Sequence, residues 1–302
     1  MEFRELKTFH VVARLLSFNK AARVLHYAQS TVSSQIQSLE NSLGETLINR
    51  TGNKICLTPA GVMLLKYTQR LINIESEILS NFKDLNETSG NLIITTPHSV
   101  AAYYLPPVIK EFQQKYPNIC FEFDSCVGYN FNDIFNAGLV DVAFLFNSNF
   151  SDKLLHVEEL TKVNLVFVAN PKDNTFDGVI ESIDDFHDKT LLLSKSDCSY
   201  RMIFEKMLMR ADVKLRKIQE VNSPEATKRI LEQGYKGVAL LPEITVQDQL
   251  VKGTLKCIQW NGQPFNAKLF MIWKKEKFQT EATKVFVQAV RKHFNKPCNP
   301  DN

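Results

Sequence analysis

The feature that most constrains the fold is a row of large apolar residues repeated every seven positions in the first third of the chain. Its members are Leu64, Leu71, Ile78 and Leu85, with a neighbouring row at Leu65, Ile72 and Leu79. Thr58 and Pro59 are a typical helix start, and no proline interrupts the chain from there to Asn86. We predict one helix over residues 59–87, about 40 Å long. Its apolar stripe is expected to pack against a second copy of the chain or against its own chain.

Length and charge limit what surrounds this helix. At roughly 100–200 residues per domain, a chain of 302 residues is expected to form two domains. The formal charge is only +3, so any contact with nucleic acid has to come from a local surface. No apolar run approaches the ~20 residues that cross a bilayer, and the N-terminus lacks a signal-peptide core. These features predict a cytoplasmic protein without membrane contact.

The six cysteines predict neither a metal site nor a disulfide framework. They form no C-x-x-C pair, and no histidine cluster lies beside them. We expect reduced thiols, with a redox-active cysteine as the alternative. The sequence also lacks a nucleophile elbow, a phosphate-binding loop and a G-x-G-x-x-G run. The expectation is therefore a protein that is not an enzyme and that needs no cofactor.

The residues before the long helix have the spacing of three short helices. Apolar side chains at intervals of three and four predict the first over residues 6–16. Asn19 is the expected N-cap of the second, over residues 20–25. The third is expected over about residues 30–43, with Gly44 as its left-handed end. Its packing residues are Val32, Ile36, Leu39 and Leu43. Three helices with a tight turn before the last predict a helix-turn-helix.

The third helix is unusual because its open side has no charge. No Lys, Arg, Asp or Glu lies between Arg23 and Glu40, although 23% of the chain is charged. Hydroxyl and amide groups donate and accept hydrogen bonds without the desolvation cost of an ion, which suits base edges in a major groove. The alternative is the solvent-facing side of an ordinary small bundle. The candidate base-reading residues are Gln29, Ser30, Thr31, Ser33, Ser34 and Gln37.

A β-hairpin is expected after the third helix. Two short apolar runs flank Gly52 and Asn53, a pair typical of a tight turn. In such a wing, Arg50 and Lys54 would contact phosphates beside the groove. Residues 1–60 carry seven basic and four acidic side chains, so the phosphate affinity of one copy is expected to be weak. Tight binding then needs two or more copies.

From residue 88 onward the pattern alternates between strands and helices. Strands are expected at 91–96, 119–124, 140–146, 165–169, 190–193, 214–221, 237–241 and 267–273, and helices at 101–116, 130–137, 200–211, 224–233 and 281–294. This alternation predicts parallel sheets with helices on both faces, here in two lobes. Ligands of such sheets bind beyond the carboxyl ends of strands, and residues 97–100 and 196–199 are turns that precede helices. A cleft between these turns suits a small organic anion.

Several motifs resemble those of the LysR-type transcriptional regulators. They include FNKAA at 18–22, residues 29–40, LG at 43–44, LINR at 47–50, LTPAG at 57–61, YLPP at 104–107, YP at 116–117, GLVD at 138–141 and residues 234–242. The resemblance covers essentially the whole chain. It implies an α+β/α/β multidomain fold with a winged helix-turn-helix over residues 1–58 and a dimerisation helix over 59–87. A two-lobed effector-binding domain, similar to periplasmic binding proteins, would span 88–302.

The resemblance also implies lobe boundaries, partners and site residues. Lobe 1 is expected to comprise residues 88–161 and 265–302, and lobe 2 residues 162–264. The family forms homotetramers that bind promoter DNA and respond to a small effector. The expected effector-binding residues are Pro97, His98, Ser99, Val100, Gly128, Cys198, Ser199 and Arg201. For Ser99 the alternative is a plain helix cap. Arg201 would pair with an effector carboxylate, or else form a surface salt bridge.

Three departures from the family pattern bear on these expectations. Ala28 stands where the family usually has a serine that caps the reading helix, so Ser30 or Thr31 is expected to cap it. Ser34 stands where the family often has an arginine, which removes one phosphate or guanine contact. Peroxide-sensing members have a second cysteine shortly after theirs, but methionines occupy that region here. Cys198 is therefore expected to be an ordinary pocket-lining thiol.

The sequence as a whole predicts a sequence-specific regulator of transcription. Its promoter binding would be modulated by a small effector held between the two lobes. Two other functions stay open at this point. One is a ligand-binding module whose N-terminal helices make protein contacts only, and the other is a regulator that senses redox state through a cysteine.

Overall fold

The computed structural model describes residues 1–51, 54–82, 89–125, 131–136, 138–174, 178–196, 198–275 and 280–295. For Arg50, Lys54 and part of the long helix, it describes the backbone only. The chain divides into two compact units, Met1–Gly90 with Phe131–Val140, and Asn91–Asn130 with Asp141–Asn302. None of the helices in the described part of the chain is long and apolar enough to cross a membrane.

Helices and strands alternate through most of the chain. The α-helices are α1 (Phe3–Leu15), α2 (Phe18–Leu25), α3 (Gln29–Leu43), α4 (Pro59–Phe82), α5 (Leu105–Lys115), α6 (Phe131–Asn136), α7 (Ser199–Arg210), α8 (Pro224–Glu232), α9 (Gln247–Lys252) and α10 (Glu281–Phe294). The strands are β1 (Ile48–Thr51), β2 (Lys54–Leu57), β3 (Gly90–Thr96), β4 (Ile119–Ser125), β5 (Val142–Asn147), β6 (Leu155–Lys162), β7 (Leu165–Ala169), β8 (Val179–Ile180), β9 (Thr190–Leu193), β10 (Lys217–Glu220), β11 (Val238–Pro242), β12 (Lys256–Trp260) and β13 (Lys268–Lys274). A π-helical turn spans Val100–Tyr104, and 3-10 turns span Ile183–Phe186 and Glu243–Thr245.

The first unit contains the expected helix-turn-helix. Val32, Ile36 and Leu39 of α3 are fully buried, because their spacing of three and four places them on one side of the helix. Leu43, which the sequence placed in the same core, is 38% exposed and lies at the end of the helix. The core of this unit consists of Leu6, Phe9, Val12, Ala13, Phe18, Ala21, Ala22, Val32, Ile36, Leu39, Leu47 and Ile48.

The start of α2 corrects the expected cap. The hydroxyl oxygen of Ser17, and not the side chain of Asn19, accepts a hydrogen bond from the Lys20 N–H at 3.2 Å. The helix therefore begins at Phe18, whose ring is buried in the core. Burial of this ring favours the earlier start, and serine is as good an N-cap as asparagine.

The start of α3 has no side-chain cap. Ala28 occupies the N-cap position, and the expectation that Ser30 or Thr31 caps this helix is wrong. Both residues lie inside the first turn and are exposed, whereas a capping side chain has to precede that turn. At the other end, Gly44 has φ 68° and ends α3 in the left-handed region, as expected.

The hairpin and the long helix follow as predicted. Strands β1 and β2 pair antiparallel, with Thr51 opposite Lys54, and the turn at residues 52–53 lies outside the described residues. Thr58 caps α4, because its hydroxyl oxygen accepts from the Gly61 N–H at 3.0 Å. The described part of this helix ends at Phe82, so Leu85 of the sevenfold repeat lies outside the description.

The second unit contains two sheets. The five-stranded sheet has the order β4-β3-β5-β13-β6, and the six-stranded sheet has the order β10-β9-β11-β7-β12-β8. We term the parts of this unit that carry them the five-stranded half and the six-stranded half. The chain passes from one sheet to the other between Lys162 and Leu165, and returns between Trp260 and Lys268. The lobe boundaries at 161/162 and 264/265 stay a prediction.

The sheets are mixed, and the prediction of parallel sheets is wrong. Strand β13 runs antiparallel to both β5 and β6, and β7 runs antiparallel to both β11 and β12. Strands β3 and β5 are parallel, as are β9 with β10 and with β11. A parallel pair needs a long crossover, usually a helix. The passages from β6 to β7 and from β12 to β13 contain no helix. The strands that they connect pair antiparallel within their own sheets, β6 with β13 and β7 with β12.

Three of the described strands were not predicted from the sequence. They are β6, β8 and β12. Strand β6 reads LHVEELTK and lies at a sheet edge, so its polar residues face solvent and break the apolar run that marks a buried strand. Strand β8 has only two residues, too few to show a period.

The expected helix over residues 101–116 has two parts. The N–H of Leu105 donates to the Val100 carbonyl, which is the wider spacing of a π turn, and α5 follows. Pro106 and Pro107 occupy the first turn of α5 and have no N–H to donate, so the regular ladder cannot continue through them. The π turn places Ser99, at its start, next to the end of β3.

Candidate functional site

The exposed side of α3 carries the predicted base-reading side chains. Gln29, Ser30, Thr31, Ser34 and Gln37 are exposed, and Ser33 is half-buried. Gln29 Nε2 donates to Ser33 Oγ at 3.0 Å, and Gln37 Nε2 donates to Asn41 Oδ1 at 3.2 Å. These bonds lie within one exposed helix face. The same donors and acceptors can be exchanged for base edges at little cost in fold stability.

Other polar side chains of α3 hold the bundle together, and sequence reasoning missed this division. Gln35 Oε1 accepts from Thr8 Oγ1 at 2.5 Å, and Ser38 Oγ donates to Glu5 Oε1 at 2.5 Å. The hydrogen bond from Ser38, followed by that from the Glu2 N–H, holds the pKa of the Glu5 carboxyl below its ordinary value. Both contacts tie α3 to the N-terminal helix, so these residues belong to the fold.

Glu40, the one charged residue of α3, is also used structurally. Its Oε1 accepts hydrogen bonds from the N–H groups of Leu47 at 2.8 Å and of Ile48 at 3.2 Å. The carboxylate therefore satisfies backbone donors at the start of the wing. Its charge is turned away from the exposed side of α3, which leaves that side uncharged.

The predicted phosphate contacts in the wing stay predictions. Arg50 is the next-to-last residue of β1, and Lys54 is the first residue of β2. The side chains of both residues lie outside the described part of the chain, so no direction is assigned to them.

Five of the expected effector-binding residues line one cavity of about 260 Å³. These residues are Pro97, His98, Ser99, Cys198 and Ser199. The other lining residues are Thr96, Ser125, Ser194, Lys195, Tyr200, Asn222 and Pro224. Thr96 and Ser125 are the last residues of β3 and β4, and Ser194 directly follows β9. Sequence reasoning missed these residues, although the rule that ligands bind at the carboxyl ends of strands would have found them.

Two expected residues, Val100 and Arg201, do not line this cavity, and a third lies outside the described residues. Val100 is fully buried in the hydrophobic core, beneath the cavity rather than in its wall. Gly128 lies outside the described residues. Arg201 is only 5% exposed, and its guanidinium is occupied by partners elsewhere.

The guanidinium of Arg201 holds the cavity wall instead of an effector. It donates to Glu205 Oε1 at 2.7 Å, to Glu220 Oε1 at 2.5 Å and to the Ser194 carbonyl at 2.5 Å. Burial disfavours the charge, but the bonds to Glu220 and Glu205 outweigh it and raise the pKa of Arg201. The expected pairing with an effector carboxylate is therefore replaced by bonds from this buried guanidinium to two partly exposed glutamates and to the Ser194 carbonyl, which fix the loop carrying Ser194.

Ser99 has the most informative environment in the cavity. Its side chain is 1% exposed, and its hydroxyl has no hydrogen-bond partner among the described residues. It does not cap the helical turn that follows, which disfavours the plain helix-cap alternative. A buried hydroxyl without a partner costs free energy, so this hydroxyl is a candidate contact for a ligand.

Cys198 lines the cavity as a neutral thiol. Burial raises the pKa of its thiol, although the N–H groups of Arg201 and Tyr200 oppose the shift. Cys56, Cys120 and Cys257 are also free. A raised pKa means that the thiolate is scarce at neutral pH, which is the opposite of a reactive cysteine.

The charge of the cavity favours an anion. Among the described lining residues, His98 and Lys195 are the basic side chains, and none is Asp or Glu. The hydroxyl groups of Ser99 and Ser199 supply donors beside them, whereas the Thr96 hydroxyl donates to the Pro97 carbonyl at 3.3 Å. Ser194 Oγ and Tyr200 Oη are bonded to each other, and burial raises the pKa of Tyr200, which keeps it neutral.

A larger cavity, of about 450 Å³, lies where the chain passes between the two sheets. Its wall contains residues of β7, β12 and the two passages, including Phe167, Trp260 and Phe265. Two lysines line it, Lys162 and Lys268, and Lys268 is paired with Glu159 at 2.6 Å. The smaller cavity is the stronger candidate for a ligand site, because it contains the carboxyl ends of several strands and the Ser99 hydroxyl, which has no partner among the described residues.

Two family models match the chain. One, described as "Bacterial regulatory helix-turn-helix protein, lysR family", matches residues 3–62. The other, described as "LysR substrate binding domain", matches residues 85–295. The uncharacterized HTH-type transcriptional regulator YwqM of Bacillus subtilis (strain 168) is 34% identical over 297 residues, which are 97% of this chain and 100% of that protein. The HTH-type transcriptional regulator GltR of the same organism is 27% identical and covers 97% of both chains.

Solved structures share the fold along nearly the full length. CbnR in complex with its target DNA has a TM-score of 0.70 and 20% identity, and covers 97% of this chain and 99% of its own. Full-length OxyR from Pseudomonas aeruginosa has a TM-score of 0.70 and 19% identity, and covers 96% and 95%. At such identities the likeness shows the fold alone. Because one family model covers more than half of the chain and a relative is 34% identical over 97% of it, the chain belongs to the LysR family of DNA-binding transcriptional regulators with an effector-binding domain.

Proposed function

We propose that the exposed side of α3 reads the bases of a promoter site. The reading residues are Gln29, Ser30, Thr31, Ser33, Ser34 and Gln37, with Arg50 and Lys54 of the wing on flanking phosphates. The observation that supports this assignment is the division of polar residues on α3. Gln35, Ser38 and Glu40 bond to other parts of the fold. The proposed reading residues are exposed, apart from the half-buried Ser33, and the hydrogen bonds described for them lie within α3.

The exposed stripe of α4 supports pairing with a second copy of the chain. Leu64 and Leu65 pack on the helix-turn-helix core, whereas another row of apolar side chains on α4 is exposed among the described residues. Its members are Val62, Met63, Tyr67, Leu71, Ile74 and Ile78, between 39% and 59% exposed. From Met63 to Ile78 these residues are spaced by three and four, as in a helix-pairing seam, and Val62 lies beside Met63. We propose that this seam forms a homodimer, that dimers associate into a homotetramer, and that two reading helices meet two half-sites.

The smaller cavity is proposed as the effector site. A small organic anion would accept hydrogen bonds from Ser99 and Ser199 and would be attracted by His98 and Lys195. Its binding would favour one arrangement of the two halves of the second unit and thereby alter promoter affinity. A coupling of about 1–3 kcal/mol is enough for such a response. In this proposal the protein acts by binding rather than catalysis, and it works in the cytoplasm, where promoter DNA is found.

Footprinting tests the DNA-binding part. Purified full-length protein is titrated onto the DNA upstream of its own gene at several salt concentrations. We expect protection of a site with two-fold symmetry and a steep loss of affinity as salt rises. Protection that is equal on random DNA would contradict base reading. Affinity that ignores salt would favour the alternative in which the N-terminal helices contact only protein.

A thermal-shift screen tests the effector part. A panel of small carboxylates and phosphates is added to the full-length protein, to Ser99→Ala and to the control Ser151→Ala. Ser151 is exposed and lies outside the cavity. Removing the unpartnered hydroxyl of Ser99 breaks no internal hydrogen bond, so the variant is expected to fold. An anion that stabilises wild type and Ser151→Ala but not Ser99→Ala supports the site. Equal stabilisation of all three proteins would place the ligand elsewhere.

A further inference from the structure

A buried lysine connects the two halves of the second unit beside the effector cavity. The side chain of Lys228, on α8, is 5% exposed. Its ammonium donates to Tyr103 Oη at 2.8 Å and to the Thr245 carbonyl at 2.8 Å, and lies 2.8 Å from Glu225 Oε1. An ammonium has three protons to donate, and these three contacts use all of them. A buried ammonium is stable only when it is paired in this way.

Tyr103 completes a closed triangle with this lysine. Its hydroxyl donates to Glu225 Oε1 while it accepts from Lys228, and the Lys228 ammonium lies 5.4 Å from the centroid of its ring. Burial and the bond to Glu225 raise the pKa of Tyr103, so the hydroxyl keeps its proton at neutral pH. Each of the three groups contacts the other two, and Lys228 also donates to the Thr245 carbonyl.

The members of the triangle come from different halves. Tyr103 lies in the π turn between β3 and β4, both strands of the five-stranded sheet. Glu225 and Lys228 lie on α8, between β10 and β11 of the six-stranded sheet, and Thr245 follows β11. The chain itself joins the two halves at the two passages already described. The triangle is a further link, and it is not covalent.

The triangle also adjoins the proposed effector site on both sides. Pro224, which lines the cavity, directly precedes Glu225, and the lining residues Pro97, His98 and Ser99 lead into the π turn that carries Tyr103. Any change in the separation of the cavity walls therefore acts on the bonds of Tyr103. Glu225 and Lys228 are three residues apart on one helix and stay paired when the halves separate. The Tyr103 hydroxyl is the part of the link that has to break.

We propose that Tyr103, Glu225 and Lys228 form a clasp that holds the two halves closed around the effector cavity, and that release of Tyr103 is a step in the response to the effector. The proposal rests on the effector function proposed above. The clasp sets how readily the empty cavity opens, and so determines promoter affinity in the absence of a ligand. The hydrogen bonds of the Tyr103 hydroxyl determine the strength of the clasp.

Hydrogen–deuterium exchange of the full-length protein tests the clasp without any ligand. Wild type is compared with Tyr103→Phe, which keeps the ring and removes the hydroxyl, and with Tyr235→Phe, an exposed tyrosine outside the clasp. Loss of one internal hydrogen bond is expected to raise exchange about five-fold. The rise should occur in both 100–105 and 224–232, because the lost bond joins them. A rise confined to 100–105, or one equal to that of Tyr235→Phe, would show a local structural role and overturn the clasp.

Promoter binding tests the role of the clasp in regulation. The same three proteins are titrated onto the upstream DNA by footprinting. The midpoint for Tyr103→Phe is expected to differ from wild type about five-fold, while Tyr235→Phe is unchanged. An unchanged midpoint for Tyr103→Phe would overturn the regulatory role. Failure of wild type to protect any site would instead overturn the proposed promoter function, whereas the exchange result on the clasp would stand.

Discussion

Ser38 Oγ lies 2.5 Å from Glu5 Oε1, so the polar side of the reading helix is fastened to the N-terminal helix at its edge. Only four residues before it, Ser34 has the same side chain and is exposed. The two serines therefore have opposite roles on one helix. Comparing Ser34 with Ser38 is therefore the best internal control for the proposed base-reading face of α3.

Replacing each serine by alanine separates fold from DNA reading. Ser38→Ala removes a hydrogen bond to a carboxylate and is expected to lower the free energy of unfolding by about 1–2 kcal/mol, with base preference unchanged. Ser34→Ala is expected to change stability by less than about 0.5 kcal/mol and to change base preference at one position. Urea unfolding and binding-site selection measure the two effects. A changed base preference in Ser38→Ala together with a loss of stability in Ser34→Ala would contradict the proposed reading face.

The same contact predicts a pH dependence. The pKa of Glu5 is lowered from its ordinary value of 4.5 by Ser38 and the Glu2 N–H. A carboxyl with a lowered folded-state pKa stabilises the fold above its ordinary pKa, and this contribution is lost as the pH falls through the lowered pKa. Between about pH 5 and pH 3, wild type should lose more stability than Ser38→Ala. Denaturant titrations at several pH values measure this difference, and parallel curves would show that Ser38 does not set the pKa.

Arg201 is predicted to act on stability rather than on effector charge. Arg201→Lys keeps the positive charge but cannot reach Glu205, Glu220 and the Ser194 carbonyl together. We expect a loss of about 2–4 kcal/mol in unfolding free energy, because a buried charge loses part of its pairing. Chemical denaturation measures it. A variant of wild-type stability that no longer binds its anion would restore the original expectation of an effector contact.

The seam on α4 is predicted to control assembly. Leu71 is 39% exposed in the single chain, and Leu71→Lys places a charge in the proposed dimer contact. Sedimentation analysis should show a shift to monomers, with the helix-turn-helix still folded. Lys66→Ala, at an exposed position of the same helix, is the control and should keep the assembly. Loss of stability without a change in assembly would show that Leu71 packs on its own chain.

Cys198 is predicted to react slowly. Because burial raises the pKa of its thiol, alkylation by iodoacetamide at pH 7 should be slower at Cys198 than at the exposed Cys120. Mass spectrometry of peptides after timed labelling gives both rates from one sample. Faster labelling of Cys198 would support the redox-sensing alternative.

Much of the fold could be predicted because its signals are local. The spacing of Val32, Ile36 and Leu39, the stop at Gly44 and the cap at Thr58 each act within a few residues of the chain. Strand β6 and the direction of β13 could not be predicted in this way. An edge strand with polar residues has no clear period, and strand direction depends on which distant strand lies beside it.

The candidate site residues, too, could be predicted only where their signals are local in the sequence. Ser99 and Cys198 were found because each lies in a turn before a helix, which the sequence shows. Arg201 was misassigned because its partners Glu205 and Glu220 are recognisable only once β10 and α7 are in place. The clasp was missed for the same reason, since Tyr103 and Lys228 are far apart in sequence and neither belongs to a motif.

The position of β13 has a consequence for biosynthesis. This strand lies between β5 and β6 in the five-stranded sheet, yet it begins at Lys268. A ribosome therefore has to synthesise the chain as far as Lys274 before that sheet can close, and until then β5 and β6 present open edges to other nascent chains. The buried core residues of the helix-turn-helix all lie between Leu6 and Ile48, so it can fold long before. A prematurely terminated product would thus retain a folded DNA-binding head attached to an aggregation-prone remnant.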